Sequence, residues 1–268
     1  MESQTLLRLR RPRPTLNKPI AGTRSKVLVI SLASAAERRA VFAAGAPKDG
    51  SWSFVDAHDS CYPGLHYDPK RALSQFGRPL TKGEIGCYSS HYSLWDALCE
   101  DVLYDRYIIL EDDLLVDWEI IGALQTSNLP MPDCVRLYYK RPVSSREVKR
   151  KFVHRSRSLV EIYGHAFGTQ AYMITRAGAE RLTSQLRTVE RPVDDAMDQV
   201  WETNTRMHSI FPFPVIERTM ESSIGAERFQ TNLKTMMANR CPASFAREKM
   251  KYYFGFSKFL CRKLVHAA

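Results

Sequence analysis

The chain has 268 residues, 44% of them apolar and 25% charged, with only 13 Gly and 14 Pro. That length can bury a substantial core in one large domain, and the composition excludes a disordered, fibrous or collagen-like chain. The net charge of +10 lies at the ends: seven Lys/Arg against one acid in residues 1–26 and eight against one in 234–268, and these +6 and +7 leave −3 for residues 27–233. Basic ends attract phosphate-rich surfaces such as anionic lipid. A nucleic-acid reader spreads its positive charge over the folded face, so no nucleic-acid partner is expected. Six cysteines (Cys61, Cys87, Cys99, Cys134, Cys241, Cys261) form no CxxC pair, which argues against a disulfide framework or a zinc-ligand spacing and for reduced thiols in a cytosolic protein. No run approaches the apolar length of a membrane span, and the first residues lack the apolar core of a signal peptide. Three units are expected: a basic flexible arm (1–25), a catalytic body (26–233) and a basic aromatic helical tail (234–268).

In chain order, residues 26–32 (KVLVISL) read as a buried strand. Ser34 and Glu37 have capping-box spacing for a helix that carries Arg38 and Arg39 and stops near Gly45. Residues 51–55 form a second short strand, and 56–80, rich in Pro and Gly, read as a surface loop. Thr81 and Glu84 form another capping box, opening a long helix to about residue 103 on which Tyr88, His91, Trp95 and Leu98 share a face. His91 on that face suits either a hydrogen-bonded packing histidine or a ligand contact. Residues 107–113 (YIILEDD) are an apolar strand ending in three carboxylates. A short helix at 117–124 and a strand at 134–139 follow. Residues 140–157 are charge-dense without periodicity, in keeping with a flexible lid or a solvated basic loop. Strands at 159–163 and 170–175, a helix at 176–187, a helix capped by Asp194 or Asp195 and running to about Trp201, and a strand at 207–211 ended by Pro212 and Pro214 complete the body. The aromatic, basic segment after Cys241 reads either as a helix lying in a membrane interface or as one packed on its own domain.

Strand–helix alternation of this kind gives an α/β sheet, and ligands collect beyond the carboxyl ends of its strands. Along a strand Glu111 and Asp113 would face one way and Asp112 the other. Adjacent acids repel unless a cation lies among them, and a hard divalent ion, Mn²⁺ or Mg²⁺, would bring a phosphate-bearing substrate. If that substrate is a nucleoside diphosphate sugar, one carboxylate holds the ion, another fixes the nucleoside, and a distant one, Asp194 or Asp195, takes the proton of the attacking hydroxyl. Arg38 or Arg39 can meet phosphate oxygens. A metal-dependent phosphodiesterase or nuclease is the alternative use of the same acids, and a non-catalytic saccharide-binding relative is a further one.

Five segments in order then resemble glycosyltransferase family 25, the lipooligosaccharide galactosyltransferase type. They are Val29-Ile30-Ser31-Leu32 with Glu37-Arg38-Arg39; Gly83-Glu84-Ile85-Gly86-Cys87 with Ser90-His91 and Leu94-Trp95; Ile109-Leu110-Glu111-Asp112-Asp113; Gly168 to Thr175 with Gly178-Ala179; and Pro192-Val193-Asp194-Asp195. The resemblance implies a GT-A type, Rossmann-like single domain with a mixed, mostly parallel sheet. It implies metal-dependent, inverting transfer from a UDP-sugar, commonly galactose, to a saccharide acceptor that here is expected to be lipid-linked. Asp113 would bind the metal with Glu111. Glu111 and Asp112 would hold metal or nucleoside, with Ser31, Arg38 and His91 near the nucleotide. Ser31 stands where the family usually has Asn. Asp194, with Asp195 beside it, would be the base. The enzyme would then work at the inner face of the cytoplasmic membrane, as a peripheral protein held by its basic ends.

Overall fold

A computed structural model describes residues 24–218 and 230–265; most of the basic arm therefore lies outside the described residues. Its centre is an eight-stranded mixed sheet in the order β2-β1-β4-β9-β6-β11-β8-β7. These strands are β1 (Ser25–Ser31), β2 (Trp52–Asp56), β4 (Arg106–Glu111), β6 (Cys134–Arg136), β7 (Ser144–Lys149), β8 (Ser158–Tyr163), β9 (Ala171–Thr175) and β11 (Met207–Phe211). Two small ribbons pair β3 (His66–Tyr67) with β10 (Thr188–Val189), and β5 (Leu114–Val116) with β12 (Val215–Glu217). Strands β2, β1 and β4 run parallel, as do β6 and β11, whereas the other four junctions are antiparallel. The sheet is thus mixed, with a smaller parallel share than expected, because β9 runs antiparallel to both of its neighbours, β4 and β6, and β8 to both of its own, β11 and β7.

The helices are α1 (Ala36–Ala44), α2 (Pro69–Phe76), α3 (Lys82–Glu100), α4 (Trp118–Thr126), α5 (Arg176–Gln185), α6 (Val193–Asp198), α7 (Val200–Thr203), α8 (Leu233–Asn239) and α9 (Pro242–Val265). Alternation along β4 divides the core. Tyr107 and Ile109 join Trp95, Leu98 and Tyr172 on the α3 side, whereas Ile108 and Leu110 join Phe42 and Ile121 on the α1 and α4 side. Helix α3 begins with the anticipated capping box, Thr81 and Glu84 each accepting the other's backbone N–H. It ends three residues earlier than expected, since the Asp101 carboxylate accepts the N–H groups of Leu103 and Tyr104 and turns the chain.

Several local expectations fail for identifiable reasons. Ser34 does not cap α1: it sits in a turn, Ala35 is the N-cap, and Glu37 falls one position short of the box. The stretch 56–80 is not all loop, because Asp68 caps α2 ahead of Pro69 and Gly77 closes it in the left-handed conformation. Residues 140–157 form no free lid; their centre is β7, an edge strand paired with β8, with Arg146 bonded to Glu161 at 2.6 Å. Neither Asp194 nor Asp195 caps a helix, since Pro192 precedes α6 and both acids occupy its first turn. Helix α6 stops at Asp198 and α7 follows separately.

The tail packs on its own domain. Phe259 of α9 is fully buried and stacks on Tyr163, Arg262 pairs with Glu161 at 2.7 Å, and Glu248 takes ion pairs from Arg191 and Arg240. Its outward side still shows Met250, Tyr253, Phe254, Leu260 and Leu264, which recur at helical spacing. Among the described residues no helix is long and apolar enough to cross a membrane.

Candidate active site

The parallel register pairs Ile30 of β1 with Glu111 of β4, so the two strands end side by side and Ser31 lies next to Asp112. Beyond these ends opens a cleft of about 320 Å³, walled by the β1 and β4 termini, the His58–Asp59 loop and the start of α3 from Lys82 to His91. Close approach of α3 to that loop depends on Gly86, where a Cβ would stand 2.5 Å from the His58 carbonyl oxygen.

The acids at the end of β4 have different surroundings. Asp112 is buried and both its oxygens are engaged: Oδ2 accepts from the Ser31 hydroxyl at 2.6 Å and Oδ1 from the Arg38 guanidinium. Glu111 faces the α3 side, where Thr169 donates to it at 3.1 Å and the His91 Nε2 lies 3.6 Å away. Burial works against the Glu111 carboxylate, but His91, Thr169 and Lys140 outweigh it and hold the group below its ordinary value. Strand geometry ends at Glu111, and the turn that follows replaces the expected alternation: Asp113 Oδ2 reaches Arg38 at 3.4 Å, on the side of Asp112. Asp113 Oδ1 is buried with no hydrogen-bond partner. Burial, with the charges of Glu111, Glu217 and Asp112 added and Arg38 opposing, lifts the Asp113 carboxyl to about 7.

The second acidic pair reaches the same region through the loop 164–170. Phe167 and Gly168 adopt left-handed backbone. The Gly168 N–H donates to Asp194 at 3.2 Å while the next hydroxyl, Thr169, donates to Glu111, so one turn links the two acids. Asp194 is partly buried, and burial together with Asp195 raises its carboxyl despite the Gly168 and Asp195 N–H groups. Asp195 is turned away into an ion-pair cluster, bonded to Arg191 at 3.0 Å and His165 at 2.9 Å. Burial opposes its charge, but His165 and Arg191 prevail and hold the Asp195 carboxyl below the usual range.

Several participants were not singled out from the sequence. Asp198 and Arg136 form a buried pair at 2.7 Å that anchors the 164–170 loop, Asp198 accepting the Phe167 N–H at 2.6 Å and Arg136 donating to the Gly168 carbonyl. Glu217, on β12, binds Lys140 at 2.9 Å and adds a fourth negative charge near Asp113. Cys87 lies one helical turn before His91 on α3, and its sulfur, a His91 ring nitrogen and a Glu111 oxygen lie within 4.8 Å of one another. The absence of CxxC spacing hid this group, because its third member comes from a strand. Its signal was the i, i+4 step from Cys87 to His91.

The donor set bears on the expected cation. An orphaned, buried carboxylate oxygen among Glu111, Asp112 and Glu217 is an arrangement that a hard divalent ion would relieve, so the residues at Asp113 fit one.

A mixed α/β domain whose central strand β4 ends in carboxylates beside a cleft carries its ligand site where such folds place one, beyond the carboxyl ends of the strands. Residues 24–197 match the sequence profile of glycosyltransferase family 25 (LPS biosynthesis protein), and the chain belongs to that family. Procollagen galactosyltransferase 1 of Danio rerio is 35% identical over 112 residues, which make up 40% of this chain and 18% of that protein. Procollagen galactosyltransferase 2 of Homo sapiens is 29% identical over 109 residues, 39% of this chain and 17% of the relative. The probable inactive glycosyltransferase 25 family member 3 of Rattus norvegicus is 30% identical over 194 residues, 66% of this chain and 33% of that protein. The chain thus spans a third or less of the length of these relatives.

Proposed function

We propose that this chain is an inverting, metal-assisted glycosyltransferase that moves a sugar, galactose first among the candidates, from a UDP-sugar to a lipooligosaccharide or other cell-surface saccharide. The observation that carries this reading is Asp113, whose unpartnered carboxylate oxygen sits among further acids at the mouth of a cleft placed where α/β folds bind nucleotides. Galactose rests on the names of the procollagen galactosyltransferases. The family assignment favours sugar transfer over phosphodiester hydrolysis.

Asp113 and Glu111 would hold Mn²⁺ or Mg²⁺, which supplies the charge that makes a nucleoside diphosphate a competent leaving group. Asp112 acts through its partners: it fixes the Ser31 hydroxyl and the Arg38 guanidinium at the cleft wall, and Arg38 is placed to meet phosphate oxygens. Lys82, in the first turn of α3, adds positive charge on the facing wall. Asp194 takes the proton from the acceptor hydroxyl, since its raised carboxyl suits a base better than the ion-paired Asp195. Asp195 with Arg191 and His165 fixes the start of α6, and the Asp198–Arg136 pair fixes the facing loop. The outward stripe of α9, with Lys249, Lys258 and Lys263 along it, supports a peripheral position on an anionic, cytoplasmic membrane face where a lipid-linked acceptor would be met.

The test is incubation of the full chain with UDP-galactose and Mn²⁺, with and without EDTA, measuring released UDP. UDP release that EDTA abolishes is expected. Release indifferent to EDTA would overturn the metal-assisted part. No release from any nucleotide sugar would favour a non-catalytic role, a possibility raised by the probable inactive relative.

A further inference from the structure

Helix α3 and strand β4 bring together three side chains whose chemistry differs from that of the acid cluster. Cys87 and His91 project from α3 at the i, i+4 step that places two ligands on one helix face, and Glu111 meets them from the end of β4. The ligand atoms lie within 4.8 Å of one another, and the His91 Nε2 to Glu111 oxygen distance is 3.6 Å. Ligands of a tetrahedral zinc ion stand about 3.3–3.7 Å apart, given Zn–N near 2.0–2.1 Å and Zn–S near 2.3 Å. Glu111 and His91 already meet that spacing, and the Cys87 sulfur, within 4.8 Å of both, would have to draw closer to complete it.

Each ligand also has an outer partner of the kind that orients metal sites. The Tyr172 hydroxyl stands 3.0 Å from His91 Nδ1, and its oxygen also accepts from the Trp95 indole N–H at 2.8 Å. The Nδ1 contact with Tyr172 orients the ring so that Nε2 faces Glu111, and Nε2 can ligate an ion once the ring proton resides on Nδ1. Thr169 donates to Glu111 at 3.1 Å and also reaches the Cys87 thiol. All three ligands line the cleft, so a fourth position opens into it.

We propose that Cys87, His91 and Glu111 form a binding site for a borderline-soft divalent cation of the zinc class, with its fourth coordination position open to the cleft. Thiolate and imidazole favour Zn²⁺ or Co²⁺ over the hard Mg²⁺ and Mn²⁺. On binding, the Cys87 S–H bond breaks, the thiolate electron pair goes to the ion and the proton goes to solvent. The site goes beyond the donor reading, because it requires neither a UDP-sugar nor Asp113. It shares Glu111 with the proposed donor cation, so zinc occupancy withdraws that carboxylate and inhibits transfer.

The test titrates reduced, metal-free full chain with Co²⁺ and follows the thiolate-to-cobalt charge-transfer band and the visible bands of tetrahedral Co²⁺. One equivalent is expected to saturate both, and Zn²⁺ to abolish them by displacement. Cys87→Ser should lose the charge-transfer band, and His91→Gln should weaken binding at least about tenfold. Asp113→Asn should keep the band unchanged, which separates this site from the donor cation. Circular dichroism checks each fold. If Cys87→Ser fails to fold, Glu111→Gln replaces it, with the band kept and the affinity lowered at least about tenfold. No thiolate band in the unaltered chain, a band unchanged in Cys87→Ser, or an affinity unchanged in Glu111→Gln would overturn the proposal. Because the readout is optical, its failure leaves UDP release unaffected, and a failure of UDP release leaves it intact.

Discussion

At the scale of residues, the proposed division of labour between Asp194 and Asp195 rests on their neighbours. Adjacent in sequence and alike in chemistry, they differ because Asp195 is matched by Arg191 and His165, whereas Asp194 faces two backbone N–H groups and burial. Asp194→Asn is expected to lower kcat for transfer by roughly 10²–10⁴-fold with little change in donor KM; an equal loss from Asp195→Asn in a chain of unchanged thermal stability would reverse the assignment. His165 supplies a pH signature for the same cluster. Burial works against its protonated form, but Asp195 outweighs this and raises the imidazole above its ordinary 6.5. Its stabilising contribution is therefore complete below pH 6.5 and is lost as pH rises through the folded-state value. Thermal melts of the unaltered chain should show Tm falling across that interval, with His165→Gln flattening that part of the profile. A slope identical in both proteins would contradict the pairing.

At the scale of elements, the sequence is most legible where one physical signal dominates. The apolar run of β4 and the reciprocal capping of α3 were both readable, and together they set the two sides of the cleft. Legibility failed where signals compete. Asp68-Pro69 and Gly77 bracket α2 with standard start and stop residues, but the surrounding Pro and Gly made the region read as loop. Charge hid β7, because an edge strand facing solvent needs no apolar alternation and its pairing with β8 comes from backbone hydrogen bonds and the Arg146–Glu161 contact. The roles of Arg136, Asp198 and Glu217 depend on contacts between residues far apart in the chain, for which local pattern gives no cue. Gly86 offers the sharpest test of the α3 packing. Gly86→Ala forces a methyl group against the His58 carbonyl and should destabilise by about 1–3 kcal/mol while weakening donor binding. A substitution neutral in both measurements would show that the His58 loop yields without disturbing the cleft.

At the scale of the whole molecule, the charge asymmetry takes on a physical form. The inward side of α9 is consumed by Phe259, Arg262 and Glu248, which dock it on the sheet edge and on Arg191, while its outward side keeps aromatic and basic groups exposed. Phe259→Ala should therefore lower stability by about 3–5 kcal/mol. Tyr253→Glu with Phe254→Glu should leave stability unchanged and reduce sedimentation with anionic vesicles. Unchanged sedimentation would assign the exposed stripe another role. The proposed function rests on a hard cation and a nucleoside diphosphate meeting at Asp113. The most direct measurement is calorimetric titration of UDP into the full chain with Mn²⁺, with EDTA, and with Asp113→Asn in place of the unaltered protein. Saturable binding that requires Mn²⁺ and is lost in the variant is the expected result; equally tight binding without the ion, or in Asp113→Asn, would contradict it.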